Sequence, residues 1–515
     1  MADDKIDKIV VLDFGSQYSH LICRRIREMN VYCELLPYNT PAKVIHNIKP
    51  KGIIFSGGPA SIYSSNSPIP DEQIFELGVP ILGICYGHQL IIDKFGGRVK
   101  RSNYREYGSA DLIIDDASDL FDRVGSKIRC WMSHADAAEV LPEGFRALAH
   151  TQNSPSAAVV KNGMNIYGIQ FHPEVVHTER GLEILKNFSH KISKARPDWS
   201  MQSFVEEAIR DIKLKVKNER VLCAVSGGID STTVALLLHK AIGSNLSCVF
   251  VNHGLLREDE QNQVPKLFKD HFGIDIIYLD AEEVFLTKLK GVSDPEMKRK
   301  IIGSEFANSF LQVALKDGPF QWLAQGTLYP DIIESGVSKG PASVIKTHHN
   351  VGGLPKDLNF KIIEPLRNLY KDEVRIVAKL LGVPAALLNR HPFPGPGLAV
   401  RIIGEITIEK LKIAKHASEI VEQELLRVGL YDSVWQAYAA VGDDMAVGVL
   451  GDERMYGHIV TIRVVDSTDA MTANWTRLPH DLLGDISTRI TNEVEGVSWV
   501  TYAVSSKPPA TIEPQ

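Results

Sequence analysis

At 515 residues the chain exceeds what one hydrophobic core organises, because single cores stop growing near roughly 250 to 300 residues and longer chains divide into domains. Its 44% hydrophobic and 23% charged content excludes disordered and fibrous classes. The net charge of -6, with no block of like charge, speaks against nucleic-acid or membrane-surface partners, which need a basic patch. The cysteines Cys23, Cys33, Cys85, Cys130, Cys223 and Cys248 are scattered and form no CxxC pair, so a reducing, cytoplasmic setting is expected. The opening residues run into a strand-like segment, and nowhere do about 18 consecutive apolar residues occur, so no targeting or membrane segment is expected.

In chain order, β-branched runs at Ile9 to Leu12, Gly52 to Phe55 and Pro80 to Ile84 are separated by stretches of helix length. A second series follows at Val221 to Val225, Ser247 to Val251 and Ile274 to Leu279. Strands spaced in this way predict parallel sheets built from βαβ units. The polar, proline-containing stretch Ser189 to Met201 reads as a linker, and His391-Pro-Phe-Pro-Gly-Pro-Gly397 breaks regular structure before a helical pattern near Ile406. The expected fold class is α/β: two successive open, mostly parallel-sheet domains, residues 1–195 and 196–397, then a smaller α+β domain, 398–515.

The third strand runs into Gly83-Ile84-Cys85-Tyr86-Gly87, a G-x-nucleophile-x-G turn of the kind that presents its central side chain above an α/β sheet. A helix starting there directs its positive end at the sulfur and favours thiolate. His172, in Gly168-Ile-Gln-Phe-His-Pro-Glu174, is the candidate base and Glu174 its orienting carboxylate. Ser56-Gly57-Gly58-Pro59 follows a strand, so the N–H of Gly58 with that of Tyr86 is the candidate oxyanion hole. A lone cysteine in such a turn is more often a small buried hydrophobe; the joint pattern is what makes it chemical.

Further on, Val221-Leu-Cys-Ala-Val225 leads to Ser226-Gly-Gly-Ile-Asp-Ser231 and a helix Thr232 to Ile242 closed by Gly243. Strand, glycine loop and helix N-terminus together make an anion cradle without the Walker A lysine. Ser226, Gly227, Gly228, Asp230 and Ser231 are the candidate ATP-phosphate contacts, Asp230 a candidate Mg²⁺ ligand, and Val251 marks the strand end where adenine would lie.

The cysteine motif with F-H-P-E resembles the triad class of glutamine amidotransferases; by that resemblance Gln89, His134 and Asp136 would line a glutamine pocket, with Asp13-Phe-Gly-Ser-Gln-Tyr18 as first-strand loop. The S-G-G-x-D-S loop resembles that of ATP pyrophosphatases, which transfer adenylate and release pyrophosphate. Over nearly its whole length the chain resembles the glutamine-hydrolysing GMP synthetases, through Val251-Asn-His-Gly-Leu-Leu-Arg257, Arg299-Lys-Ile-Ile-Gly303, Gln325-Gly-Thr-Leu-Tyr-Pro-Asp-Ile-Ile-Glu-Ser335, Lys346-Thr-His-His-Asn-Val-Gly-Gly-Leu-Pro355, Glu364-Pro-Leu-Arg367, the 391–397 segment and Lys507-Pro-Pro-Ala-Thr-Ile-Glu513.

That resemblance implies XMP, ATP and glutamine as substrates, GMP, AMP, pyrophosphate and glutamate as products, and a homodimer formed through the C-terminal domain. It implies that Lys507, Ile512 and Glu513 bind XMP, Lys507 at the phosphate and Glu513 at the purine. Arg299, Asp331, Lys346, Lys371, Asp372 and Gln436 would contact or activate it. At 135, 499, 503 and 514 the chain has Ala, Trp, Ala and Pro where that family commonly has Gly, Arg, Asp and Trp. Two alternatives stay open: an adenylating amidotransferase with another oxo acceptor, and a nucleotide-binding protein without turnover.

Overall fold

The computed structural model describes residues 6–64, 67–329, 331, 360–450, 453–467 and 472–515. The chain divides into two compact units, Met1–Ser203 and Phe204–Gln515.

The first unit is built on a nine-stranded sheet. Its strands are β1 (Lys8–Asp13), β2 (Tyr32–Pro37), β3 (Gly52–Phe55), β4 (Ile81–Ile84), β5 (Arg98–Ile114), β6 (Lys127–Val140), β7 (Phe145–His150), β8 (Ala158–Lys161) and β9 (Ile166–Ile169). They lie in the order β2-β1-β3-β4-β9-β8-β7-β5-β6. The half from β2 to β9 is parallel and the half from β9 to β6 antiparallel. Parallel strands are covered on both faces, which is why Ile9 to Leu12, Gly52 to Phe55 and Ile81 to Ile84 are continuous apolar runs with every side chain buried. From β1 the order runs outward to β2 and inward to β3. Such a reversal opens a crevice at the carboxyl ends, where the loops after β1, β3 and β4 converge.

The expected linker is only partly one. Trp199 is buried with its ring 4.7 Å from that of Tyr32, and its backbone N–H donates to the Asn30 carbonyl. An indole is too large an apolar surface to leave in water, so the segment folds back and the first unit runs to Ser203, beyond the expected 195.

The second unit contains an all-parallel sheet of β10 (Val221–Ala224), β11 (Leu246–Asn252), β12 (Ile276–Asp280), β13 (Trp322–Ala324) and β14 (Lys361–Ile363), ordered β12-β11-β10-β13-β14. Its order reverses at β10, which puts the loop after β10 at the crevice. A mixed sheet follows, with β15 (Gln436–Leu450) and β17 (Asn474–Trp475) antiparallel to β16 (Glu453–Asp466) and β18 (Val497–Tyr502) parallel to it. One hydrophobic core joins the two sheets: Leu222 and Val249 of the first, Leu398 and Ile402 after the proline segment, Ile413 and Val421 of the helix Ile408–Arg427, and Val460 and Ile462 of the second. The core therefore runs through the expected 397/398 boundary without a break. Prolines forbid helix and strand there but leave side chains free to pack, as His391 stacking at 3.9 Å on Tyr431 shows. Among the described residues no helix is long and apolar enough to cross a membrane.

Candidate functional site

Strand β4 ends in a turn whose central residue, Cys85, has φ 53° and ψ −102°. A non-glycine residue held there costs on the order of 1–3 kcal/mol, and the surrounding packing must impose it. A Cβ on Gly83 would run into the Gly87 carbonyl, and one on Gly87 would come within 2.6 Å of Phe55 Cβ. Both glycines are required by close approach, as the motif predicts. Cys85 caps the helix Tyr86–Lys94, donates its own N–H to the Ile169 carbonyl, and is buried.

His172 lies just past β9. Its Nδ1 is 2.7 Å from Oε1 of Glu174, its backbone N–H donates to the Trp131 carbonyl, and the Tyr18 ring meets the imidazole edge-on at 5.3 Å. Burial opposes the imidazolium, but the Glu174 carboxylate and the hydrogen-bonded Cys85 sulfur outweigh it and hold the pKa well above the usual histidine value. With Nδ1 on Glu174, Nε2 is left for the sulfur, which is the orientation that a nucleophile and its base require. The loop after β3 lies against both: a Cβ on Gly57 would lie 3.1 Å from His172 Cε1 and 3.6 Å from Cys85 Cβ. Gly58 beside it is pressed against the first-strand loop, where a Cβ would come within 2.6 Å of the Phe14 carbonyl oxygen.

These groups open into a cavity of about 770 Å³ lined by Cys85, His172, Gly58 and Tyr86, and also by Gln89, His134 and Asp136. Glu174 stands behind His172, away from the cavity wall. Gln89 donates to the Asp136 carbonyl at 2.8 Å, His134 Nδ1 lies 3.0 Å from the same oxygen, and Ser61 donates to the Asp136 carboxylate at 2.6 Å. Two participants were not named from sequence. Glu106, directly across from His134 in the β5/β6 pairing, lies 3.1 Å from its Nε2; burial raises its pKa but the contacts to His134 and Thr151 win and lower it. Gln170 offers its amide to Cys85 Sγ at 3.7 Å. It sits two residues before His172 in the same Gly168 to Glu174 segment, a proximity in sequence that could have found it, whereas Glu106 emerges only from the strand register.

In the second unit the loop after β10 turns through Gly227 at φ +75°, and a helix begins at Ile229, a turn earlier than the sequence suggests. Ser231 Oγ accepts from the Ser226 N–H, and Gly228 carries its N–H toward Ser226 Oγ. Asp230, in the helix's first turn, receives Lys371 Nζ on both oxygens at 2.7 and 2.6 Å. Val251 is buried near the end of β11, followed by Asn252, whose side chain accepts from the Gly254 N–H. Among the described residues no cluster of three or more acidic, histidine or cysteine side chains could hold a metal by itself. One carboxylate beside a phosphate-cradling loop is the donor set Mg²⁺ uses when substrate phosphates and water supply the rest.

A third group lies around the tail. Gln436 Nε2 donates to Glu513 at 2.7 Å, and the Ile512 carbonyl accepts from Tyr438 and Arg463. Lys507 pairs through its backbone with Ala473. The remaining candidates are dispersed: Arg299 pairs with Glu296 on its own helix, Asp331 accepts from the Leu328 N–H, and Asp372 follows Lys371 in the first turn of the helix Lys371–Leu380. Lys346 lies outside the described residues, as do 332–335 of the Gln325 motif.

Comparison with known proteins adds the following. Residues 10–192 match the family model of class-I glutamine amidotransferases, and residues 423–514 match that of the GMP synthase C-terminal domain. The chain is 53% identical over 506 residues to a glutamine-hydrolysing GMP synthase of Carboxydothermus hydrogenoformans, covering 98% of this chain and 99% of the relative. It is 51% identical over 512 residues to one of Gloeothece citriformis, covering 98% and 94%. A putative GMP synthase subunit from Thermoplasma acidophilum, of known structure, is 28% identical, with a TM-score of 0.33, over 37% of this chain and 95% of that one.

Proposed function

The chain belongs to the family of glutamine-hydrolysing GMP synthases and makes GMP with glutamine as nitrogen donor, and we propose that it does so with the residues gathered in its two units. In the first, Cys85, its proton already on His172, attacks the glutamine carboxamide as a thiolate, and the imidazolium gives that proton to the leaving ammonia. Glu174 keeps the imidazole aligned and compensates its charge. The N–H groups of Gly58 and Tyr86 receive the developing oxyanion, and Gln89, His134 and Asp136 hold the amino acid. What carries this reading is one cavity lined by a strained, buried Cys85 and by His172, whose imidazole is backed by the Glu174 carboxylate at 2.7 Å.

In the second unit, the Ser226 to Ser231 loop grips the pyrophosphate end of ATP, and adenine rests against the backbone at Val251. The XMP oxygen attacks the α-phosphate and pyrophosphate leaves; ammonia then displaces AMP to give GMP. Lys371, paired with Asp230 in the free protein, is well placed to turn to a phosphate oxygen when ATP arrives. Mg²⁺, when bound through Asp230 and the phosphates, offsets the charge of the polyphosphate. XMP is held by Gln436, Lys507, Ile512 and Glu513, with Arg299, Asp331, Lys346 and Asp372 contacting or activating it. The segment 398–515 serves as the XMP-binding and dimerisation part of the second unit. Support for a homodimer comes from exposed Met445, Val447 and Val449, alternate residues of β15, with exposed Tyr456 opposite Val447 and Trp499 donating to the Val447 carbonyl. A cytoplasmic setting fits six unpaired, buried cysteines.

The test is a product balance. With XMP, ATP, Mg²⁺ and glutamine the enzyme should release GMP, AMP, pyrophosphate and glutamate in equal amounts, and AMP accumulating without GMP would contradict the XMP assignment. Cys85→Ala should abolish glutamine use and leave synthesis from added ammonium; loss of both would contradict independent sites.

A further inference from the structure

Arg401 closes the short turn of helix Gly397–Arg401 and is 2% exposed. A buried guanidinium must be fully paired, because an uncompensated charge in the interior costs several kcal/mol. Its guanidinium carbon is 4.4 Å from the centroid of the Tyr438 ring and 5.0 Å from that of Phe393. Its fork meets the tail: Nε donates to Glu513 Oε2 at 3.1 Å and Nη2 to Oε1 at 3.0 Å. Gln436, itself tied to the Pro392 carbonyl at 3.1 Å, adds a third hydrogen bond to Oε1. An ionised carboxylate has about four acceptor positions, and these donors fill three.

We propose that Arg401 is the positioning residue for the purine end of XMP: by clamping Glu513 it leaves one oxygen lone pair in a fixed direction to accept a ring N–H of the xanthine. The inference rests on the reading of Glu513 as an XMP contact. Xanthine carries ring N–H donors that a carboxylate complements, and a lysine in place of the planar fork could not fix both oxygens. The flanking residues are held as well, Thr511 and Ile512 by Arg463 and Gln515 by Lys298, so the carboxylate is carried on a fixed backbone. Phe393 also carries Arg257, whose guanidinium is 4.6 Å from its centroid and donates to the His391 carbonyl.

The experiment is a double-mutant cycle on the full chain, using ammonium as nitrogen source so that the first unit is bypassed. Arg401→Lys should raise KM for XMP about tenfold or more, the loss expected for a bidentate charge-assisted contact, while KM for ATP and glutaminase activity stay within about twofold. Glu513→Gln should raise KM for XMP comparably, and Arg401→Lys added to it should cost less than about twofold more, because the two act as one unit. Three results would overturn the role of Arg401: an unchanged KM for XMP in Arg401→Lys, full multiplication of the two effects, or equal rises in KM for XMP and ATP, which mark a general anchor. An unchanged KM in Glu513→Gln would instead overturn the placement of Glu513 at XMP.

Discussion

Gly57 shows how a residue without a side chain governs the chemistry. It lies against both the imidazole and the cysteine, and a Cβ there would stand 3.1 Å from His172 Cε1, so the ring would have to give by a few tenths of an ångström. Gly57→Ala should push the imidazole off line and reduce glutamine-driven GMP formation by about 10- to 100-fold, since sub-ångström to ångström errors in alignment cost that much. Ammonium-driven formation should be unaffected, and the ratio of the two rates is the measurement; an unchanged ratio would mean that the loop yields. Residues of this kind are half legible in a sequence. The Gly-Gly pair after an apolar strand marks a close approach, but which glycine meets the imidazole depends on how three separate loops come together.

At the scale of elements, the helix Pro295–Asp317 brings Lys298 wholly into the interior. Its ammonium donates to the carbonyls of Ala399 and Ile402 and to the Gln515 side chain, acceptors that carry no formal charge. Burial accordingly pushes its pKa from 10.5 down to about 8, and the nearby Lys410 adds to the fall. The sign follows from proton counting: between about pH 8 and 10.5 the unfolded chain keeps this proton and the folded chain has shed it, so folding grows more favourable as pH rises through that window. Below about pH 8 both states are charged and the full cost of burial is present. Thermal unfolding of the wild type and Lys298→Met should show the wild type gaining on the variant from about pH 8 to about 10.5. Parallel pH profiles for the two proteins would contradict this.

At the scale of the molecule, two parallel-rich sheets each place a turn, Cys85 after β4 and Ser226 to Ser231 after β10, at the carboxyl edge near a reversal of strand order. The exposed apolar residues of β15, β16 and β18 give the homodimer reading a direct test. Val447→Asp, which buries no new group in the monomer because the side chain is already exposed, should shift sedimentation toward a monomer while leaving the unfolding midpoint nearly unchanged. A species of unchanged mass would remove that face from consideration. The sequence alone determined the mixed α/β, parallel-rich character of the fold, the glycine-flanked turn at Cys85, and the glycine loop Ser226 to Ser231 between a strand and a helix. Each is a contiguous strand, turn and helix whose geometry follows from residues a few positions apart. Tertiary structure alone decided that Glu106 backs His134, that Trp199 extends the first unit, that one core spans residue 397, and that Arg401 and Lys298 reach tail residues 112 and 217 positions away. Such pairings are set by strand register and by which buried charge finds an acceptor, and no local periodicity encodes either one.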